Sequence, residues 1–195
     1  MEHYEKLSSD QGQLLIFEAR KIIRNKLLKP SQQNESEVAS PHEADPILHK
    51  KGGTFVTLSK NSKLRGCIGH IIAHEPIIES IRHNAFNAAF KDHRFSPVSI
   101  DELDDIHIEV SILTEPEVML YSNIDDLKAK LRPGIDGVIL QKENKSATFL
   151  PQVWKQLPDH ESFLSNLCIK AGLPLSALEN ENITVFTYQV QAFKE

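Results

Sequence analysis

The stretch Lys63-Leu64-Arg65-Gly66-Cys67-Ile68-Gly69-His70 decides how the rest of the chain is read. A thiol stands between two glycines, with a guanidinium two residues before it and an imidazole three after. In an extended strand side chains alternate, so Arg65, Cys67 and Gly69 would share one face and Leu64, Gly66 and Ile68 the other. The glycines remove bulk, which permits unusual backbone angles or the close approach of another group. Upstream, Gly52-Gly53 precede a run from Thr54 to Leu58 rich in β-branched and aromatic residues, and Lys60-Asn61-Ser62 supplies a turn. The two runs predict a hairpin that carries Cys67 on its second strand.

Helices are expected on both sides of this hairpin. Leu15, Ala19, Ile22 and Lys26 follow the caps Ser8, Ser9 and Asp10 at helical spacing, predicting a helix over 10–28 that stops before Pro30. Pro76 starts another, with Ile77, Ile81, Ala85 and Ala88 on its buried stripe. Between Pro30 and Pro46 there is almost no apolar residue, and that segment reads as a mobile surface loop. Further on, Ile106, Ile108, Val110 and Ile112 alternate strictly, as in a strand with one buried face. A short helix over 124–131, a second hairpin over 137–150, a short helix at 151–156, a helix capped by Asp159 and a final strand over 184–193 complete the reading. Hairpins mixed with separated helices indicate an α+β protein with mostly antiparallel sheet.

Composition bounds the function. The chain has 195 residues, enough for one domain or two small lobes, with 40% hydrophobic and 25% charged residues, as in an ordinary globular protein. A net charge of −5 without a Lys/Arg cluster argues against a nucleic-acid partner. No apolar run approaches the roughly 20 residues that span a bilayer, and Met1-Glu2-His3-Tyr4-Glu5 lacks the pattern of a secretion signal. Two cysteines, Cys67 and Cys168, exclude a disulfide framework and suggest a reducing, cytoplasmic setting.

Six ordered blocks resemble the AMMECR domain family, whose prokaryotic members are called AmmeMemoRadiSam system protein A. They are Leu64-Arg65-Gly66-Cys67-Ile68-Gly69, Asn84-Ala85 through Ala88 to Phe95, Ile108 to Leu113, Gly134 to Leu140, Thr148 to Trp154, and Lys170-Ala171-Gly172-Leu173-Pro174. The resemblance covers about residues 10–194 and leaves 1–9 as an N-terminal tail. It implies an α+β fold in two lobes of antiparallel sheet flanked by helices, one lobe combining both chain ends. It also implies work alongside a Memo-type protein and a radical S-adenosylmethionine enzyme. It supplies no reaction. Two cysteines cannot hold the three-thiolate iron–sulfur cluster of the radical enzyme itself. Departures are visible too. His93 stands where the family usually has proline and His70 where a small polar residue is commoner. The aromatic residue expected near Ala177-Leu178 is missing, and the loop over 30–46 is longer than usual.

Cys67 and Arg65 are the candidate catalytic residues. Cys67 reads either as a nucleophilic or acceptor thiol favoured by a neighbouring cation, or as a small buried hydrophobe. Arg65 reads either as an anion-binding fork or as the partner of a carboxylate such as Asp92 or Glu109. Leu64, Gly66, Ile68, Gly69, Asn84, Asp92 and Arg94 are the candidate binding residues. Asp92 and Arg94 would close over the Cys67 strand or pair with each other, and Asn84 would hydrogen-bond loop backbone. His70, His74, His83 and His93 lie near Cys67 in sequence, but without a metal-ligand spacing they read as exposed loop and helix-face residues. No cofactor is indicated. Trp154 is expected to anchor a core between lobes, and Cys168 to be core. Two functions stand open: a Cys67-centred enzyme or modification acceptor for a small molecule or peptide, and a non-catalytic adaptor presenting Leu64–Gly69 as a recognition surface.

Overall fold

The computed structural model describes residues 6–28, 45–179 and 183–195. The loop expected over 30–46 lies outside the described residues except for its last two positions, and so does most of the 1–9 tail. Among the described residues the chain forms α1 (Ser9–Leu27), β1 (Gly53–Lys60), β2 (Lys63–His70), α2 (Ile77–Phe90), β3 (Ile106–Leu113), β4 (Glu117–Val118), α3 (Ile124–Lys130), β5 (Gly137–Lys142), β6 (Lys145–Phe149), α4 (His160–Lys170), β7 (Thr184–Tyr188) and β8 (Val190–Lys194). The fold class is α+β. Two compact units divide the chain: Met1–Leu113 with Gln191–Glu195, and Thr114–Val190.

The first unit is a sheet in the order β2-β1-β3-β8, with α1 and α2 on one face. The hairpin turns at Asn61 and Ser62, both with positive φ, the mirror-image turn that matches strand twist. Val56 and Leu58 of β1 and Ile106, Ile108, Val110 and Ile112 of β3 point into one core. Each is at most 1% exposed, so the strict alternation of β3 carries the burial expected of it. Helix α1 starts with a capping box, Ser8 Oγ accepting from Gln11 N and Gln11 Oε1 accepting from Ser8 N. It is tied to α2 by a part-buried pair, the buried Glu18 with Arg82 at 2.7 Å.

The second unit is a sheet in the order β4-β7-β5-β6, with α3, α4 and the short turns Pro151–Lys155 and Leu175–Glu179 contributing further core residues. Trp154 belongs to this interior rather than to a core between lobes. Its ring stacks on Phe163 at 3.7 Å and its indole N–H donates to the Asp136 carbonyl. Cys168 is fully buried, and burial pushes its thiol pKa up.

The single strand expected over 184–193 is a second correction. It breaks at Gln189 into β7 and β8, which join different sheets. Phe186 and Tyr188 therefore belong to one sheet, and Val190 and Ala192 to the other. Val185 and Tyr188 are buried in the second unit, while Phe193 packs over Gly12 in the first. Gln189 is held instead by Thr114, whose Oγ1 accepts from its N–H and whose N–H donates to its carbonyl.

Candidate functional site around Cys67

Strand β2 is a sheet edge, and its register sets the site. Thr57 stands opposite Cys67, Leu58 opposite Gly66, and Ser59 opposite Leu64. Arg65 is left unpaired in a bulge, so the simple alternation that would set it beside Cys67 is interrupted. The outward backbone of Cys67 is capped by side chains. Its N–H donates to Asp92 Oδ2 at 2.9 Å, and its carbonyl accepts from Arg94 Nη2 at 3.0 Å. Because these groups point away from β1, Thr57 and Cys67 form the narrow kind of antiparallel pair, in which side chains come closest. Thr57 Oγ1 accordingly donates to Cys67 Sγ at 3.3 Å. The thiol is half-buried.

Asp92 and Arg94 follow directly on the end of α2. Both readings of them hold at once, since they close over the Cys67 strand and pair with each other. Asp92 accepts from Arg94 Nε at 2.9 Å and Nη2 at 2.7 Å. The Arg94 guanidinium holds the Asp92 carboxyl well below the usual carboxylate range, and the Cys67 N–H acts in the same sense. Asp92 is buried, whereas the Arg94 side chain is 52% exposed. Arg94 is the cation nearest in the site to Cys67, which it reaches through the backbone carbonyl: its pKa is raised first by Asp92, and Cys67 contributes in the same direction.

Arg65 is engaged elsewhere. Its guanidinium meets Glu102 through Nε at 3.0 Å and Nη2 at 2.8 Å. The partner is neither Asp92 nor Glu109, and Glu109 instead takes Lys194 at 2.7 Å. Nη1 of Arg65 is buried without a hydrogen-bond partner among the described residues. The pair holds Glu102 down at about 2, with Ser99 N and Lys60 assisting. Arg65 therefore anchors the bulge to the turn Ile100–Glu102, and the cationic role expected of it falls to Arg94.

The glycines serve close approach, since neither Gly66 nor Gly69 has positive φ. A Cβ on Gly66 would stand 2.2 Å from the Ala88 carbonyl oxygen of α2, and one on Gly69 2.3 Å from the Thr54 carbonyl oxygen. Ile68 packs on the first core, while Leu64 is 48% exposed at the strand edge. Asn84 bonds strand rather than loop: its Nδ2 donates to Thr54 Oγ1 at 2.9 Å and to the Thr54 carbonyl at 3.3 Å.

Of the four histidines, His70 and His74 lie together, with ring centroids 4.8 Å apart. His93 is exposed, and His83 pairs with Glu75 at 2.8 Å. His70 is only partly exposed, a correction, and meets Ser80 Oγ at 3.1 Å. No group of three or more His, Cys, Asp or Glu side chains among the described residues is placed to hold a metal ion.

Thr57 and Glu102 are site residues that sequence reasoning missed. Counting back from the turn sets Val56 opposite Cys67, and only the bulge brings Thr57 into register. For Glu102 the sequence offers only the Ser99-x-x-Glu102 capping-box pattern, which sets it in a turn and says nothing of Arg65.

These features define a class: a two-unit α+β protein whose Arg-Gly-Cys-Ile-Gly edge strand is clamped through the peptide of its cysteine. The sequence matches the AMMECR1 family model over residues 17–193, and the chain belongs to that family. A protein of Methanothermobacter thermautotrophicus is 37% identical over 193 residues, spanning 98% of both chains. One of Thermofilum pendens is 35% identical over 205 residues, covering 97% of this chain and 92% of its own. The crystal structure of protein PH0010 from Pyrococcus horikoshii superposes with a TM-score of 0.82 at 34% identity, over 98% of this chain and 94% of that one.

Proposed function

We propose that the protein acts through Cys67 as a thiolate that attacks, or accepts a group from, a small molecule or peptide. In this reading it works with a Memo-type protein and a radical S-adenosylmethionine enzyme in a reducing, cytoplasmic setting. One observation carries the proposal: the Thr57 hydroxyl donates to Sγ while the Arg94 guanidinium is held at the same residue. Thiolate is the reactive form of cysteine, and a hydroxyl donor at sulfur with an arginine held beside the same residue are groups suited to a reaction that passes through it. The peptide clamp holds the strand so that the thiol keeps its place when the exposed part of Arg94 engages an anionic partner group.

The test is alkylation by iodoacetamide at pH 7.5, with the buried Cys168 silent. Greater thiolate population outweighs lost nucleophilicity, because a tenfold gain in thiolate returns about a threefold gain in rate. Thr57→Val is expected to slow alkylation of Cys67 about threefold, and Thr57→Ser to restore it. A rate unchanged by Thr57→Val would remove the basis of the proposal.

A second reading has its own support. Gly66, Gly69, Arg65 and Asp92 are all spent on structure, and Leu64 stands exposed beside them, as on a recognition surface. Capture of the partner proteins that survives Cys67→Ser would favour this adaptor.

A further inference from the structure

The end of β2 carries a buried polar network that the Cys67 site does not use. Asn84 Nδ2 donates to both Thr54 Oγ1 and the Thr54 carbonyl, and the carbonyl fixes which way the amide points. Thr54 Oγ1 lies 2.5 Å from Ser80 Oγ, and Ser80 Oγ lies 3.1 Å from His70 Nε2. Thr54 and Ser80 are fully buried and Asn84 is 4% exposed. On its other side the His70 ring lies against His74, with centroids 4.8 Å apart and planes tilted by 31°.

Proton counting gives this chain a direction. Thr54 can donate to Ser80, and Ser80 to His70, only if Nε2 of His70 is a bare acceptor. Every group is then satisfied. A protonated His70 must donate to Ser80 instead. Ser80 then donates to Thr54, whose own hydroxyl proton is left without an acceptor in a site closed to water. The charged imidazole also faces a second imidazole across the stack.

We propose that the His70–His74 stack on the Ser80–Thr54–Asn84 network is an acid-released latch, which holds the end of β2 and the 71–76 loop to α2 while His70 is neutral. The groups around His70 agree with that sense. Burial lowers its pKa from the ordinary 6.5, His74 adds to the lowering, and Glu75 opposes it. Helix α2 presents Ser80 and Asn84, β1 presents Thr54, and His83 reaches the cluster through Glu75. A histidine whose folded pKa is lowered supports the closed state above its ordinary value and withdraws that support as pH falls. Gly69 and Ile68 alone separate the latch from Cys67, so release would free the strand that presents the thiol. That last consequence rests on the function proposed above; the latch itself does not.

Amide hydrogen exchange of the full chain, corrected for intrinsic rates, tests the latch without reference to thiol chemistry. Protection of the amides of residues 69–74 is expected to fall about tenfold between pH 7.5 and 5.0, the order set by one buried hydroxyl left unpaired. His70→Gln keeps an acceptor for Ser80 but cannot titrate, and its profile is expected to be flat. His74→Asn removes the neighbouring ring charge, and its loss of protection is expected to begin at higher pH than in the wild type. A flat wild-type profile overturns the proposal. So does a His70→Gln profile as steep as wild type, or, where that variant does not fold, a His74→Asn profile that begins at the same pH as wild type.

Discussion

Replacing Glu102 by Gln tests what anchors the bulge that sets Cys67 opposite Thr57. Glu102 accepts two hydrogen bonds from Arg65, and its pKa drops from the ordinary 4.5 to about 2. At about 1.4 kcal/mol per tenfold change in proton affinity, that drop corresponds to about 3 kcal/mol of native-state preference for the carboxylate. The side chain keeps 20% of its surface in solvent, and screening there cuts the figure to about 1.5 kcal/mol. The sign follows from the direction. A depressed carboxyl stabilises fully above its unfolded value, and the contribution is lost as pH falls from 4.5 towards 2. Urea unfolding should therefore separate wild type from Glu102→Gln by about 1.5 kcal/mol at pH 7 and by almost nothing at pH 2. The signal must be far-ultraviolet circular dichroism, because the only tryptophan, Trp154, reports on the other unit. A separation that stays constant from pH 7 to pH 2 would refute the ion pair as the anchor.

Two further substitutions probe the clamp and the glycines. Gly66→Ala would set a methyl group 2.2 Å from the Ala88 carbonyl oxygen, a backbone atom that cannot swing away. It is expected to cost about 2–3 kcal/mol in the same urea assay, and a loss below 0.5 kcal/mol would contradict the close approach. Asp92→Ala removes the charged acceptor of the Cys67 N–H, about 1.5–3 kcal/mol, while its half-exposed partner Arg94 adds less than about 1 kcal/mol. The Cys67 amide should lose its exchange protection in that variant, and retained protection would mean that the clamp does not hold the strand.

Periodic elements were legible in the sequence because burial imposes the period. Strand β3 repeats every second residue and α1 carries caps and a stripe, and both formed with bounds within a residue or two of expectation. The final strand failed for a tertiary reason. Its alternation continues through Gln189, and nothing local says that the sheet changes there. Within the site, Cys67, Asp92 and Arg94 were legible as chemistry-bearing residues. Their pairing was not, since a one-residue bulge carries no strong residue signature and reassigns every neighbour beyond it. Trp154 was legible as an anchor, but which core it anchors depends on contacts far apart in sequence.

The bulge also changes what the signature means. Had Arg65 stood beside Cys67, the motif would hold its own cation and thiol, and the remainder of the chain would be scaffold. Instead the motif supplies the thiol, the narrow glycines and a structural anchor, and the turn after α2 supplies the cation through a pair that grips backbone rather than sulfur. A clamp on a peptide fixes where Sγ is; it does not commit the guanidinium, which remains half exposed and has Nη1 outside the bonds to Asp92 and Cys67. Fixed sulfur beside an accessible cationic edge suits an acceptor that meets an anionic or carbonyl-bearing partner. An arginine buried against its own carboxylate, as Arg65 is, would offer such a partner nothing.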